Sequence, residues 1–107
     1  MNMSEAEFQT CVMDLARWTG WKVFHPRTVK TEKGKHLTAY TGDKGFPDLV
    51  LAHQRYGVIF AELKTEKGRM SDEQRDWAIE LKHGGAEYYV WRPSDWEEIK
   101  KRLRGTQ

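Results

Sequence analysis

The stretch Gly45–Lys64, GFPDLVLAHQRYGVIFAELK, is the most hydrophobic segment of the chain and decides how it folds. Two apolar runs, 47–53 and 57–64, flank the polar sequence QRYG, which is typical of an antiparallel β-hairpin. Three charged residues lie at the ends of these runs, and they are Asp48, Glu62 and Lys64. The hairpin is therefore a candidate support for a chemical site.

Side-chain alternation and hairpin register together predict that these charged residues are neighbours. Glu62 and Lys64 share one face of their strand, because successive side chains point to opposite faces. With the turn centred near residue 55, Asp48 pairs with Glu62. Two carboxylates that close repel each other unless a proton or a cation lies between them. Hard oxygen ligands suit Mg²⁺ or Mn²⁺, so the pattern predicts a divalent-metal site with Lys64 beside it.

Each half of this pattern also has an ordinary structural explanation. Glu62 and Lys64 would form an ion pair on an exposed strand edge, and Asp48 would cap a turn after Pro47. Either pattern alone is common in proteins. Their combination across one hairpin of this length favours the metal site.

The remaining segments predict a complete α/β domain. We expect a helix at 4–19, strands at 21–25, 47–53 and 57–64, a helix from Ser71 to Gly84, a strand at 86–91 and a helix at 93–103. This order, αβββαβ with a C-terminal helix, predicts a mixed four-stranded sheet flanked by helices. The strand at 86–91 would run parallel to a neighbour through a right-handed crossover.

The first helix carries clear signals at its start and along one face. Ser4 and Glu7 have the spacing of a capping box. Apolar residues then recur at helical spacing, and they are Phe8, Cys11, Val12, Leu15 and Trp18. We expect this stripe, Trp18 included, to pack in the core, together with Trp77 and Trp91 of the later elements.

Length and composition restrict the class of protein. The 107 residues predict one domain, 1–107. The chain has no long apolar run and no basic N-terminal signal, so we expect a cytoplasmic protein that does not bind membranes. Cys11 is the single cysteine, which excludes an intramolecular disulfide and a zinc site of several thiolates. The net charge of +2 favours nucleic acid only mildly.

The segment 27–45 is the most cationic part of the chain and has little periodicity. Glu32 and Asp43 are its only acids, and its basic residues are Arg27, Lys30, Lys33, Lys35 and Lys44, with His36. We expect a long, flexible basic loop, of the kind that is often functional. The pattern alone leaves a solvated loop and a DNA phosphate-binding surface both open.

At this point the chain resembles a known family. GFPDLVL and FAELK, followed by SDEQRDWAIELKHGGAEYYVW (71–91), are similar to the VRR-NUC (virus-type replication-repair nuclease) branch of the PD-(D/E)xK nucleases. The resemblance covers nearly the whole chain and implies a restriction-endonuclease-like core. It also includes a helical glutamate followed four residues later by a glutamine, which Glu5 and Gln9 match. Glu7 is the alternative to Glu5, although it suits the capping box better.

The resemblance implies an Mg²⁺- or Mn²⁺-dependent nuclease of phage or bacterial type that hydrolyses branched DNA, such as four-way junctions, often as a homodimer. Asp48, Glu62 and the Leu63 carbonyl would bind the metal, and Lys64 would orient the attacking water. Glu5 would complete a metal position through water, Gln74 would reach the same centre, and Gln9 and Ser71 would contact the DNA. Gln74 is equally well explained as an ordinary residue of a helix start. The resemblance also strengthens the prediction that the basic segment 27–45 contacts DNA.

Two other functions remain open on the sequence. A DNA-binding module could keep the nuclease fold without catalysis, although binding alone does not require paired carboxylates. A nuclease directed at RNA would carry the same motif residues. Assays on single-stranded RNA and branched DNA would separate these possibilities.

Overall fold

The computed structural model describes residues 3–26, 28–30, 36–38 and 41–105. Three helices and six strands make up these parts of the chain. In chain order they are α1 (Glu5–Trp18), β1 (Lys22–Phe24), β2 (Thr28–Lys30), β3 (His36–Thr38), β4 (Leu49–His53), β5 (Gly57–Leu63), α2 (Asp72–His83), β6 (Glu87–Trp91) and α3 (Trp96–Leu103), with a 3₁₀ turn at Pro93–Asp95. None of these helices is long and apolar enough to cross a bilayer.

The main sheet has four strands in the order β1-β4-β5-β6. β4 is antiparallel to both β1 and β5, whereas β6 is parallel to β5. The parallel pair is joined through α2, as parallel neighbours require a crossover connection. The mixed four-stranded sheet flanked by helices, predicted from the sequence, is confirmed.

The register of the β4–β5 hairpin is the one that the sequence predicts. Leu49 pairs with Ala61, and His53 pairs with Gly57 across the turn. Continuing this register by one residue places Asp48 opposite Glu62. The carboxylates therefore meet where β4 begins and β5 ends.

The two faces of the sheet have different partners. The centre of one face is buried and packs against α1 and α3, through Leu49, Leu51, Ile59, Ala61 and Leu63 of the sheet, Phe8, Val12 and Ala16 of α1, and Ile99 and Leu103 of α3. Each such large apolar side chain contributes about 1.5–3 kcal/mol on burial. The other face packs against α2 and the loop before β4, where Phe46 contacts Phe60 and Trp77 edge to face. The core therefore lies on one side, and the second side stays partly open.

Helix ends follow the local sequence closely. The Ser4 hydroxyl accepts a hydrogen bond from the Glu7 amide, and the Glu7 carboxylate accepts one from the Ser4 amide. Ser71 and Gln74 form the same reciprocal pair at the start of α2. Both helices begin where their capping signals predict, because these signals act within four residues.

The expected core position of Trp18 is wrong, since its side chain is 88% exposed. The buried face of α1 is centred on Val12. At 3.6 residues per turn, Trp18 lies about 120° around the helix from Val12, beyond the edge of that face. Trp91 is buried as expected, and Trp77 is half-buried.

The segment 27–45 contains more regular structure than its sequence predicts. β2 and β3 lie within it and pair antiparallel, with Thr28 opposite Thr38. Arg27, Lys33 and Lys35 lie outside the described residues, and Lys30 is described in its backbone only. The predicted contact of this segment with DNA stays a prediction.

Arg102 of α3 joins three elements on the buried side. Its guanidinium binds both carboxylate oxygens of Glu87 and donates to the Tyr56 carbonyl at 2.7 Å. It also lies 5.3 Å from the centre of the Trp21 ring. The hydrogen bond from Arg102 lowers the pKa of Glu87 below its ordinary value of 4.5. Arg102 thus holds α3 to β6 and to the β4–β5 turn.

We expect Arg102→Leu to lower the free energy of unfolding by about 2 kcal/mol, because it removes a charge-assisted hydrogen-bond network. Urea unfolding at pH 7 measures this. The matched control is Arg75→Leu, since Arg75 pairs with Asp72 on an exposed helix surface. Such pairs contribute at most about 1 kcal/mol. Equal losses in both variants would contradict the role of Arg102.

The loss of unfolding free energy in Arg102→Leu should also depend on pH. The pKa of Glu87 is lower in the folded protein, so the stabilisation is present above about pH 4.5 and is lost as the pH falls through the folded pKa. The difference between the wild type and Arg102→Leu should therefore shrink in acid.

Candidate active site

Asp48 directly precedes β4, and the end of β5 fixes its side chain. The Asp48 Oδ2 atom accepts a hydrogen bond from the Leu63 amide at 2.8 Å. Its own backbone carbonyl lies 2.7 Å from His25 Nδ1. A carbonyl only accepts, so Nδ1 carries the proton and donates. Asp48 is therefore tethered to two neighbouring strands through its side chain and its backbone.

Glu62 is an acid in an almost fully enclosed position. Its side chain is 2% exposed, and Oε2 accepts a hydrogen bond from Gln74 Nε2 at 2.9 Å. Lys64 Nζ lies 3.4 Å from the same oxygen. Burial, followed by the charge of Asp48 and a hydrogen bond with it, raises the pKa of Glu62 to about 8 despite the opposing effect of Lys64. Burial beside Asp48 therefore favours the protonated form of Glu62 unless a cation compensates the negative charge.

One atom of this site has no hydrogen-bond partner among the described residues. Glu62 Oε1 is buried and makes no hydrogen bond with any described residue. A buried carboxylate oxygen without a partner is costly, and a divalent cation would supply both a bond and compensating charge. Two carboxylates, with the Leu63 carbonyl, fit a hard cation such as Mg²⁺.

The described residues contain no group of three or more His, Cys, Asp or Glu side chains that could hold a metal by themselves. This donor set is unlike that of a structural zinc site, which has four protein ligands. Mg²⁺ instead retains several waters and binds through one or two carboxylates and substrate oxygens. The chemistry of the donors therefore favours a cation shared with a substrate.

Lys64 is positioned by the segment that follows β5. Its side chain is 11% exposed, and its amide donates to the Trp91 carbonyl at 3.0 Å. The next turn is held by Arg92, which donates to the carbonyls of Thr65 at 2.6 Å and Gly68 at 2.8 Å. The predicted proximity of Lys64 to Glu62 is present. No local sequence pattern points to Arg92, whose acceptors are backbone carbonyls more than 20 residues away.

Gln74 fulfils both of the roles that the sequence left open. Its Oε1 atom accepts from the Ser71 amide at 2.9 Å, which completes the helix cap. Its Nε2 atom donates to Glu62. One side chain therefore ties the start of α2 to the buried carboxylate. Ser71 itself is exposed and serves as the N-cap.

Gly45 allows α2 to approach this closely. Its φ of +93° is a conformation that L side chains rarely adopt. A Cβ atom at this position would lie 2.4 Å from the backbone carbon of Glu73. Any other residue would push the loop before β4 away from α2. The glycine before Pro47 and Asp48 thus sets the distance between Gln74 and Glu62.

A cleft of about 880 Å³ opens beside these groups. Asp48 and Gln74 lie along it, and so do Glu5 and Gln9 of α1. The structure therefore brings both proposed α1 residues to the cleft that contains Asp48. Glu7, the alternative to Glu5, is engaged in the helix cap.

Lys44 lies beside a different depression of the surface. It is exposed and shares that depression with acidic residues, which are Asp43, Glu73, Asp76 and Glu80. These acids reduce the positive potential that Lys44 would offer to DNA.

One residue of the cleft, Phe24, was missed by sequence reasoning. His25 ends the strand predicted at 21–25 and binds the Asp48 backbone. Phe24 lines the same cleft and is 59% exposed. The pairing of β1 with β4 determines both positions, and a three-residue strand gives too weak a pattern to predict that pairing.

Comparison with known proteins agrees with this geometry. The sequence profile of the VRR-NUC domain matches residues 17–95, which include Asp48, Glu62, Lys64 and Gln74. Two solved structures, described as a VRR_NUC domain and a VRR_NUC domain protein, share the fold with a TM-score of 0.64 and 20% identity each. The matches cover 96% of this chain and 97% and 92% of the other chains. A search of curated proteins gives no significant match. The extent of the profile match shows that this chain belongs to the VRR-NUC family of nuclease domains.

Proposed function

We propose that this protein is a divalent-metal-dependent nuclease that hydrolyses DNA phosphodiester bonds and prefers branched DNA. Membership of a nuclease family supports the general activity. The observation that carries the proposal is the pair of Asp48 and buried Glu62 with Lys64 3.4 Å from Glu62. This pair lies at the end of two strands and beside an open cleft.

The residues have separate roles in this mechanism. Asp48 and Glu62, with the Leu63 carbonyl, would hold the cation. When bound, Mg²⁺ or Mn²⁺ would polarise a phosphate oxygen and lower the pKa of a bound water. Lys64 would orient that water and offset the negative charge that develops on the phosphate. Gln74 would keep Glu62 in one orientation, because it already binds Oε2.

The composition of the cleft walls supports the proposed substrate class. Its described walls include Glu5 and Asp43 and no lysine or arginine. The walls alone therefore give DNA phosphates little attraction, and their affinity would come from the cation and the basic segment 27–45. A protein of this kind would recognise the shape of the DNA more than the sequence of its bases. This supports a structure-specific enzyme.

Lys64→Met should reduce cleavage of a labelled four-way junction in Mn²⁺ by about 100-fold or more, because it removes a charge aimed at the phosphate. A panel of linear, flap and four-way DNAs, assayed with Mg²⁺ and Mn²⁺, measures this. The matched control is Lys100→Met, since Lys100 pairs with Glu97 on α3, which packs against the opposite face of the sheet. The control should cleave at the wild-type rate.

The same panel separates the competing functions. Metal-independent binding of every DNA without cleavage would favour a DNA-binding module. Faster cleavage of single-stranded RNA than of any DNA would favour a nuclease directed at RNA. Normal cleavage by Lys64→Met would reject the proposed role of Lys64.

Mn²⁺ should raise the melting temperature of the wild type by several degrees, because a cation that binds the folded state stabilises it. Asp48→Asn should abolish this rise. Without metal, this variant should melt at or above the wild-type temperature, since the amide oxygen can still accept the Leu63 hydrogen bond and a like charge is removed. Thermal unfolding with and without Mn²⁺ measures both effects.

Asp76→Asn is the matched control for this measurement. Asp76 is an exposed acid of α2 that does not line the cleft. It should keep the full response to Mn²⁺. An Asp48→Asn protein that gains as much stability from Mn²⁺ as the wild type would show that the cation binds elsewhere.

We also propose that the enzyme acts as a homodimer. A four-way junction has near two-fold symmetry, and each protomer of 107 residues contributes a single Asp48–Glu62 pair. Light scattering should give about twice the mass of the chain, 12.6 kDa per protomer. A single species of monomer mass throughout the concentrations used for cleavage would contradict the dimer.

A further inference from the structure

Phe24 is a large apolar side chain in an unusual place. It is the last residue of β1, an edge strand of the sheet, and it is 59% exposed. Single exposed apolar residues are normal on protein surfaces and need no explanation by themselves. Phe24, however, lines the cleft that contains Asp48. Its exposure is therefore located where substrate would bind.

The strand register places Phe24 close to the catalytic carboxylates. Phe24 pairs with Val50, and Val50 pairs with Phe60, so the three lie in one row on one face. Asp48 lies two residues before Val50 and is therefore diagonal to Phe24. Diagonal neighbours on one face are about 7–8 Å apart. Since bases stack about every 3.4 Å along a strand, this is about two base steps.

The other aromatic side chains of the cleft are already engaged. Phe46 packs edge to face against both Trp77, at 5.0 Å, and Phe60, at 6.1 Å. Within the described ranges, Phe24 makes no ring contact with another aromatic residue. Its ring is therefore open to a planar partner from outside.

We propose that Phe24 stacks on a nucleobase next to the phosphate that is cut, and so selects DNA in which that base has left the duplex stack. This rests on the proposed nuclease function and specifies its substrate. Stacking of a base on an aromatic side chain contributes about 1–3 kcal/mol. Bases within a continuous duplex are already stacked on both sides, and unstacking one costs a few kcal/mol. Bases at branch points, in flaps and at frayed ends, like other unpaired bases, become free at a lower cost.

The kinetic test compares variants on a four-way junction and on a linear duplex. Phe24→Ala should lower kcat/KM on the junction about tenfold and leave the slow cleavage of the duplex unchanged, because only the junction offers a free base. Phe24→Tyr keeps a stacking ring and should retain most of the junction activity. Trp18→Ala is the matched control, since Trp18 is 88% exposed but lies outside the cleft. It should leave both rates at the wild-type value.

A binding experiment tests the same contact without cleavage. A junction carrying 2-aminopurine next to the cut position is mixed with the Lys64→Met protein, and the fluorescence is recorded. Stacking on Phe24 should quench the probe, and Lys64→Met combined with Phe24→Ala should bind the junction without this quenching. Melting temperatures show that each variant is folded.

The outcomes separate this inference from the function on which it rests. The stacking role would be overturned if Phe24→Ala lowered kcat/KM equally on the junction and on the duplex, or if quenching persisted in the double variant. Either result would leave the nuclease proposal intact. A wild type that cuts no DNA but shows quenching dependent on Phe24 would overturn the nuclease proposal and retain the stacking role. Failure of the wild type both to cut and to bind would overturn both.

Discussion

The register between β4 and β5 is the constraint on which the rest of the structure depends. Leu49, Ile59 and Leu63 are fully buried on one face, and the same alternation sends Glu62 to the other face. A slip by one residue would turn Glu62 into the core and Leu63 out of it. Such a slip would forfeit several kcal/mol of apolar burial. The hydrophobic core therefore fixes the relative positions of the two carboxylates, although the apolar side chains themselves make no contact in the proposed chemistry.

The site is held in an electrostatically unfavourable arrangement by this core. Glu62 is buried beside Asp48, and burial and that neighbour raise its pKa to about 8. Gln74 and Lys64 satisfy one carboxylate oxygen and leave the other without a described partner. Sites that conflict with local stability rules are often functional, because the surrounding structure compensates for the cost. The unsatisfied oxygen and the closeness of the two carboxylates both favour a cation.

The sequence predicted the features that depend on short-range rules. The pairing of Asp48 with Glu62 follows from alternation and turn length, and the caps at Ser4 and Ser71 from spacings of three residues. The predicted core position of Trp18 was wrong, because residue spacing alone does not show how far the buried face extends around the helix. Phe24 and Arg92 were missed for another reason. Their surroundings come from strands and carbonyls distant in the chain, and no local pattern records these.

The uneven covering of the sheet connects catalysis with recognition. Two helices bury the centre of one face, whereas α2 covers the other face mainly near β6, and Phe24 at the β1 edge stays exposed. The carboxylates of Asp48 and Glu62 lie on this face, between the part that α2 covers and the part that is open near β1. Because Glu5, Asp43 and Asp48 line the cleft, a phosphate would be repelled there until a cation is bound. The cation would therefore be needed for the approach of DNA as well as for its hydrolysis, and an apolar contact at Phe24 could then discriminate among DNA shapes without adding further charge.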